Sequence, residues 1–116
     1  MQRQYKGRFD YMNKIITILS LILLISCSQE PEVFTGPFVI RDGIKFDQKT
    51  NEPVNGIVEE FHVYGQLSER SNYIDGKRNG LYERFHENGQ LSERSNYIDG
   101  KLNGPVEKFD SDGNRL

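Results

Sequence analysis

Gly65-Gln-Leu-Ser-Glu-Arg-Ser-Asn-Tyr-Ile-Asp-Gly-Lys77 returns without a single change as Gly89 to Lys101, twenty-four positions further on. The same spacing carries outward along the chain. Gly56, Gly80 and Gly104 form one column, Glu59, Glu83 and Glu107 a second, Phe61, Phe85 and Phe109 a third. Gly65, Gly89 and Gly113 form a fourth. A fixed period of this kind marks a repeat architecture, in which each unit is one supersecondary element that buries its apolar face only against its neighbours.

The residues between the glycines decide what that element is. Short stretches rich in Tyr, Phe, Ile and Leu, punctuated by Asn-Gly and Asp-Gly, are the grammar of strands and hairpins. Each unit reads strand, tight turn, strand, looser turn, with strands expected over 81–86 and 91–98. No window beyond the first 26 residues has helical periodicity with a cap. The sequence therefore predicts an all-β domain of tandem β-hairpins over 36–116, with units at about 36–55, 56–79, 80–103 and a partial 104–116. The hairpins would join into a single elongated antiparallel meander of about seven short strands at roughly 4.8 Å spacing. Gly36 to Gly56 reads as a worn first unit, with Gly43 aligned to Gly65.

Two registers compete at the tight turn. A two-residue turn at Asn88-Gly89 would set Glu83 opposite Arg94. A three-residue loop, Glu87-Asn88-Gly89, would set Phe85 opposite Leu91 and Glu83 opposite Glu93. The earlier copy of this turn, Val63-Tyr64-Gly65, arbitrates, because the two-residue form needs a positive φ at Tyr64. Energetics agree: a cross-strand charge pair is worth roughly 0.2–1 kcal/mol, and burying a Leu or Phe about 1.5–3 kcal/mol. The three-residue loop predicts one face with Leu81, Glu83, Phe85, Leu91, Glu93, Ser95 and Tyr97. The other would carry Tyr82, Arg84, His86, Ser92, Arg94, Asn96 and Ile98.

Ahead of the repeats, Ile15 to Ser26 is an unbroken run of twelve largely apolar residues. That is short of the roughly 20 a spanning helix needs and suits the core of a secretory signal helix behind Asn13-Lys14, with Met12 a natural start. Leu24-Ile25-Ser26-Cys27 then resembles the lipobox of bacterial lipoproteins. The resemblance implies cleavage after residue 26 and a diacylated Cys27, the only cysteine in the chain. Acyl chains bring about 0.8 kcal/mol per buried CH₂, so two or three anchor a protein stably. Residues 27–35 read as a tether. Ser28, rather than Asp, after the cysteine resembles sorting to the outer membrane in Gram-negative cells, with the domain facing the periplasm or the exterior.

The whole chain carries a net charge of −2. Residues 1–26 hold Arg3, Lys6, Arg8 and Lys14 against Asp10, so the remainder is net −5. An acidic domain with no Lys/Arg cluster excludes the electrostatic footprint of a nucleic-acid binder and leaves membrane contact to the anchor.

Sites of chemistry are scarce. His62 and His86 share a column, but equivalent positions two strands apart lie roughly 10 Å from each other. Zinc ligands sit at about 2.0–2.1 Å from a shared ion, so the pair reads as solvated strand ends and no metal is expected. The Glu59, Glu83 and Glu107 column reads as charges interleaved with Arg70 and Arg94 rather than an acid–base pair. No serine stands in an elbow motif and no glycine run leads from strand to helix, so neither catalysis nor a cofactor is expected. The aromatic and aliphatic ladders remain: Phe61, Phe85, Phe109, Tyr73, Tyr97, Leu67 and Leu91 are the candidate partner surface, since aromatic residues dominate interface hot spots. Gly65, Gly89 and Gly113 are expected turn glycines, with positive φ at Gly65 and Gly89. At the C-terminal end, 104–110 is expected to form an edge strand that Asn114-Arg115-Leu116 is too short to cover.

The pattern G-x-x-E-x-F-x-x-x-G-Q-L-x-E-x-x-Y-x-D-G-K-x-N-G resembles the MORN-repeat variant, found in arrays in the YwqK-like antitoxin family. The resemblance covers about Phe38 to Leu116, with two full units and two partial ones. It implies tandem hairpins, protein–protein contact and membrane association, without a catalytic centre. A secreted, lipid-anchored copy departs from the cytosolic antitoxin setting, which turns the expectation toward an envelope scaffold or an immunity-like protein with an unknown protein partner, a toxin included. A structural spacer with no dedicated ligand is the rival expectation.

Overall fold

The computed structural model describes residues 29–116. The signal segment and Cys27 lie outside the described residues. Nine strands follow in order: β1 (Val33–Phe34), β2 (Phe38–Arg41), β3 (Ile44–Asp47), β4 (Gly56–Phe61), β5 (Leu67–Ile74), β6 (Lys77–Phe85), β7 (Leu91–Ile98), β8 (Lys101–Leu102) and β9 (Glu107–Lys108). The described chain is all-β, and β4 to β8 run as an antiparallel meander in sequence order.

Two features depart from a single antiparallel sheet. β2 and β3 form a separate two-stranded sheet. β1 joins the main sheet parallel to β4, with Val33 opposite Ile57 and Phe34 opposite Val58. The expected tether therefore ends early, because Val33 and Phe34 are strand. The hairpin and β1 supply what a thin repeat sheet lacks, a second layer of apolar side chains. Phe34 and Phe38 pack against Val54, Val58 and Tyr73, the most buried apolar cluster. Val54 and Val58 have no exposed surface at all, worth about 1.5–3 kcal/mol each.

Turn chemistry sets the connections. The β4–β5 and β6–β7 loops have three residues, closed by His62 N–H to Gln66 O at 2.7 Å and His86 N–H to Gln90 O at 2.8 Å. Gly65, Gly89 and Gly113 take φ of 93°, 87° and 89°, the left-handed region that L side chains resist. The tighter turns are the Asp-Gly ones. Asp42-Gly43, Asp75-Gly76 and Asp99-Gly100 have both residues at positive φ and join strands directly, as Ile74 opposite Lys77 and Ile98 opposite Lys101 show. This is the two-residue turn whose twist matches that of paired strands. It corrects the phase of the first unit: Gly43 is the counterpart of Gly76 and Gly100, not of Gly65. It also starts β6 at Lys77, four residues before the expected strand.

The register reconciles both alternatives and thereby changes the faces. Phe85 stands opposite Leu91 beside the loop, yet Glu83 stands opposite Arg94. A bulge lies between, with Ser92 the extra residue, and the β4–β5 pair repeats it, with Phe61 opposite Leu67 and Glu59 opposite Arg70. One inserted residue turns the rest of a strand over. Glu93, Ser95 and Tyr97 therefore lie on the face of Tyr82 and Arg84, not with Leu81, Glu83, Phe85 and Leu91. The buried face carries the row Val58, Ser71, Tyr82, Ser95 across four strands. The opposite face carries Glu59, Arg70, Glu83, Arg94 and Glu107, a row of alternating charge across five.

The C-terminal edge also differs from expectation. Only Glu107–Lys108 of residues 104–110 is strand. β8 and β9 occupy the places of Lys77–Arg78 and Glu83–Arg84 one period earlier, and Pro105 stands where β6 has Leu81. Proline brings no N–H to the ladder, so the strand is split. The last residues do fold back: Leu116 N–H donates to Lys108 O at 2.8 Å, and Arg115 bridges Phe109.

Candidate partner-binding surface

The candidate surface residues separate into three groups. Tyr73 is 6 % exposed and belongs to the buried cluster. Tyr97 is half-buried, its ring meeting that of Tyr82 edge-on at 5.6 Å between centroids. The Phe and Leu residues form a stripe at the loop end of the open face, one pair per unit: Phe61 with Leu67, Phe85 with Leu91, and Phe109 with Arg115. Within it Leu67, Phe85, Leu91 and Phe109 are less exposed than Phe61, which keeps 50 % of its surface open to solvent.

Beyond Phe61 the chain turns through Val63 and Tyr64, which are 97 % and 84 % exposed. They are the largest departure from a polar tip: the next two loops place Glu87-Asn88 and Ser111-Asp112 at these positions. Sequence reasoning used Tyr64 only to choose the loop. The signal was present, since a repeat that replaces polar tip residues by Val and Tyr in one unit puts apolar surface where the fold has no use for it.

The histidines are stitches between units rather than solvated ends. His62 Nε2 lies 2.9 Å from Phe85 O, and His86 Nε2 lies 2.9 Å from Phe109 O. A carbonyl only accepts, so each Nε2 carries the proton and donates. At the third position of the column stands Asp110, whose carboxylate instead accepts from Asn114 N–H at 2.8 Å and Asp112 N–H at 3.0 Å. The hydrogen bonds from Asn114, backbone first and then side chain, hold its carboxyl below the usual aspartate range.

Two cations organise the buried face. Lys45, 8 % exposed, is placed by β3 with Nζ 3.1 Å from Glu60 Oε1, over the rings of Phe38 and Tyr73 at 4.8 and 5.0 Å. Arg78 takes the corresponding place after the next Asp-Gly turn. It donates to Glu69 Oε1 at 2.6 Å and lies over the rings of Tyr82 and Tyr97 at 4.6 and 5.6 Å. Tyr82 O–H donates to the other oxygen of Glu69 at 3.1 Å. Burial, and after it Glu69, pushes the Tyr82 hydroxyl well above the usual phenol range. Burial works against the Arg78 charge, but Tyr73 and Glu69 outweigh it and the guanidinium pKa is raised. This network occurs once, although Glu93 and Tyr97 repeat Glu69 and Tyr73, because the next unit has Leu102 and Val106 for Arg78 and Tyr82.

The Glu59, Glu83 and Glu107 column lies in the alternating charge row, where Glu83 accepts from Arg94 at 3.2 Å. Among the described residues no three His, Cys, Asp or Glu side chains are grouped to hold a metal. No protein-family model, curated protein or solved structure matches the chain.

Proposed function

We propose that the chain is a lipid-anchored module of the bacterial envelope that binds another protein and catalyses no reaction. The contact is made through the loop tip of the first full hairpin, Val63 and Tyr64, together with Phe61. The observation that carries this reading is the exposure of Val63 and Tyr64 on a loop whose later copies are polar, beside the half-exposed Phe61 at the end of β4. A large aromatic at a rigid tip is the kind of anchor that dominates interface energetics. Unit-to-unit stitching by His62 and His86 supports a rigid platform beneath it. The resemblance of the repeat to MORN variants supports a scaffold role, and an immunity-like protein that holds a toxin is its special case. The same stitching favours a second reading, a structural spacer with no ligand. Anchoring rests on the lipobox-like Leu24–Cys27, and Ser28 after it resembles the signal for the outer membrane where the host is Gram-negative.

The test is a pull-down from detergent-solubilised membranes with the full-length protein as bait, in native form and as Val63→Ser/Tyr64→Ser. A partner retained by the native protein and lost by the double variant supports the tip. A partner retained equally by both moves the contact elsewhere, and no specific partner favours the spacer. Cys27→Ala should abolish palmitate labelling; unchanged labelling would contradict the anchor.

A further inference from the structure

The three Asp-Gly turns stack along one side of the domain. Lys45 N–H donates to Gly76 O, and Gly100 N–H donates to Arg78 O, both at 2.8 Å. Between the stacked turns runs a groove of about 260 Å³, lined by Lys45, Lys77, Arg78, Tyr73 and Tyr97 beside the glycines of the turns.

Its electrostatics run against the rest of the molecule. The chain is net negative, yet three cations line this groove and, among the described residues, no carboxylate does. The carboxylates that hold Lys45 and Arg78 in place, Glu60 and Glu69, are not among its lining. The turn aspartates Asp42, Asp75 and Asp99 are not in it either. Lys77 follows the Asp75-Gly76 turn with its side chain exposed, so it reaches a ligand without giving up an ion pair. Two tyrosines add flat apolar surface beside the charges. We propose that this groove binds an oxyanion, the carboxylate or phosphate of a small ligand, with Lys77 as the primary contact and source of positive charge, Lys45 and Arg78, each held in an ion pair, as further N–H donors, and Tyr73 and Tyr97 as the walls.

The assay is ¹H–¹⁵N NMR of the full chain in uncharged detergent micelles, titrated with inorganic phosphate and separately with acetate at constant ionic strength. Saturable shifts of the amides of Tyr73, Lys77, Arg78 and Tyr97 with either anion are expected, and the stronger anion names the ligand class. Lys77→Glu should raise the dissociation constant about thirtyfold or more, the effect of reversing one charge at contact distance even with the full screening of bulk water. Lys49→Glu makes the same change in net charge outside the groove and should leave the constant within about twofold, because screening isolates exposed charges. Linear, unsaturable shifts with both anions, or equal weakening by the two variants, would overturn the proposal. Retained native peak dispersion in Lys77→Glu separates loss of the site from loss of the fold.

Discussion

Gly76 and Gly100 sit in identical stretches, Ser-Asn-Tyr-Ile-Asp-Gly-Lys, and adopt the same conformation, with φ of 75° and 78°. Alanine at either position meets the same left-handed strain, about 1–2 kcal/mol. It also changes the unfolded chain equally, since the local sequence is the same. The surroundings differ. A Cβ on Gly100 would touch nothing nearer than Lys77 Cβ at 3.7 Å, an ordinary contact. A Cβ on Gly76 would run into the side chain of Ile44 and lie 2.7 Å from the Lys45 carbonyl oxygen, a backbone atom that cannot swing aside. Overpacking of that kind adds about 1–3 kcal/mol. Gly100→Ala should therefore cost about 1–2 kcal/mol and Gly76→Ala about 2–5 kcal/mol. With a urea slope near 1 kcal/mol per molar for so small a domain, the two midpoints should differ by about 1–3 M. Coincident urea transitions for the two variants would refute the docking of the β2–β3 hairpin on the Asp75-Gly76 turn.

Other outcomes follow from the same geometry. His86→Ala, which removes the stitch to Phe109, should destabilise by about 1 kcal/mol, and His62→Ala by a similar amount; a thermal melt that leaves both unchanged would show the stitches to be idle. Among the described residues Ser71 and Ser95 bury hydroxyls without a hydrogen-bond partner, so Ser71→Ala should be neutral or stabilising by up to about 1 kcal/mol, and a clear destabilisation in a urea melt would mean the hydroxyl is satisfied. Asp110 has a depressed folded pKa, so its contribution is present above the unfolded aspartate pKa and is lost as pH falls through the lower, folded value. Carboxyl NMR should find Asp110 titrating below the usual aspartate value with Asn114 amide protection lost alongside; titration at the ordinary value would contradict the hydrogen bonds drawn to it.

The period, the strand content and the three-residue loops were legible because they are local: glycine at a left-handed position and apolar pairs beside it act within a few residues. The faces were not, because a bulge at Ser92 is a compromise between two local demands. The loop sets Phe85 against Leu91, while the strands beyond it align Glu83 with Arg94. Each demand was visible alone, and only an extra residue satisfies both. Tyr73 and Tyr97 show why identical stretches do not carry identical roles. Tyr73 is closed over by Phe34 from β1 and by Phe38 and Lys45 from the non-repeating hairpin, whereas Tyr97 meets the ring of Tyr82 and the guanidinium of Arg78. The apolar tip at Val63-Tyr64 was within reach of the sequence as a break in the repeat, since a tip needs no tertiary partner to be exposed.

Which side chains a partner can reach depends on that register, and paired cysteines read it directly. In a Cys27→Ala background, residues directly opposite across two strands have Cα atoms about 4.5–5.5 Å apart, close enough for a disulfide, and neighbouring pairs alternate in type. Under mild oxidation Glu83→Cys/Arg94→Cys or its neighbour Arg84→Cys/Glu93→Cys should therefore cross-link, and Glu83→Cys/Glu93→Cys, with side chains on opposite faces, should stay reduced. A cross-link in the 83/93 pair with none in the other two would contradict the bulge and return Glu93, Ser95 and Tyr97 to the open face.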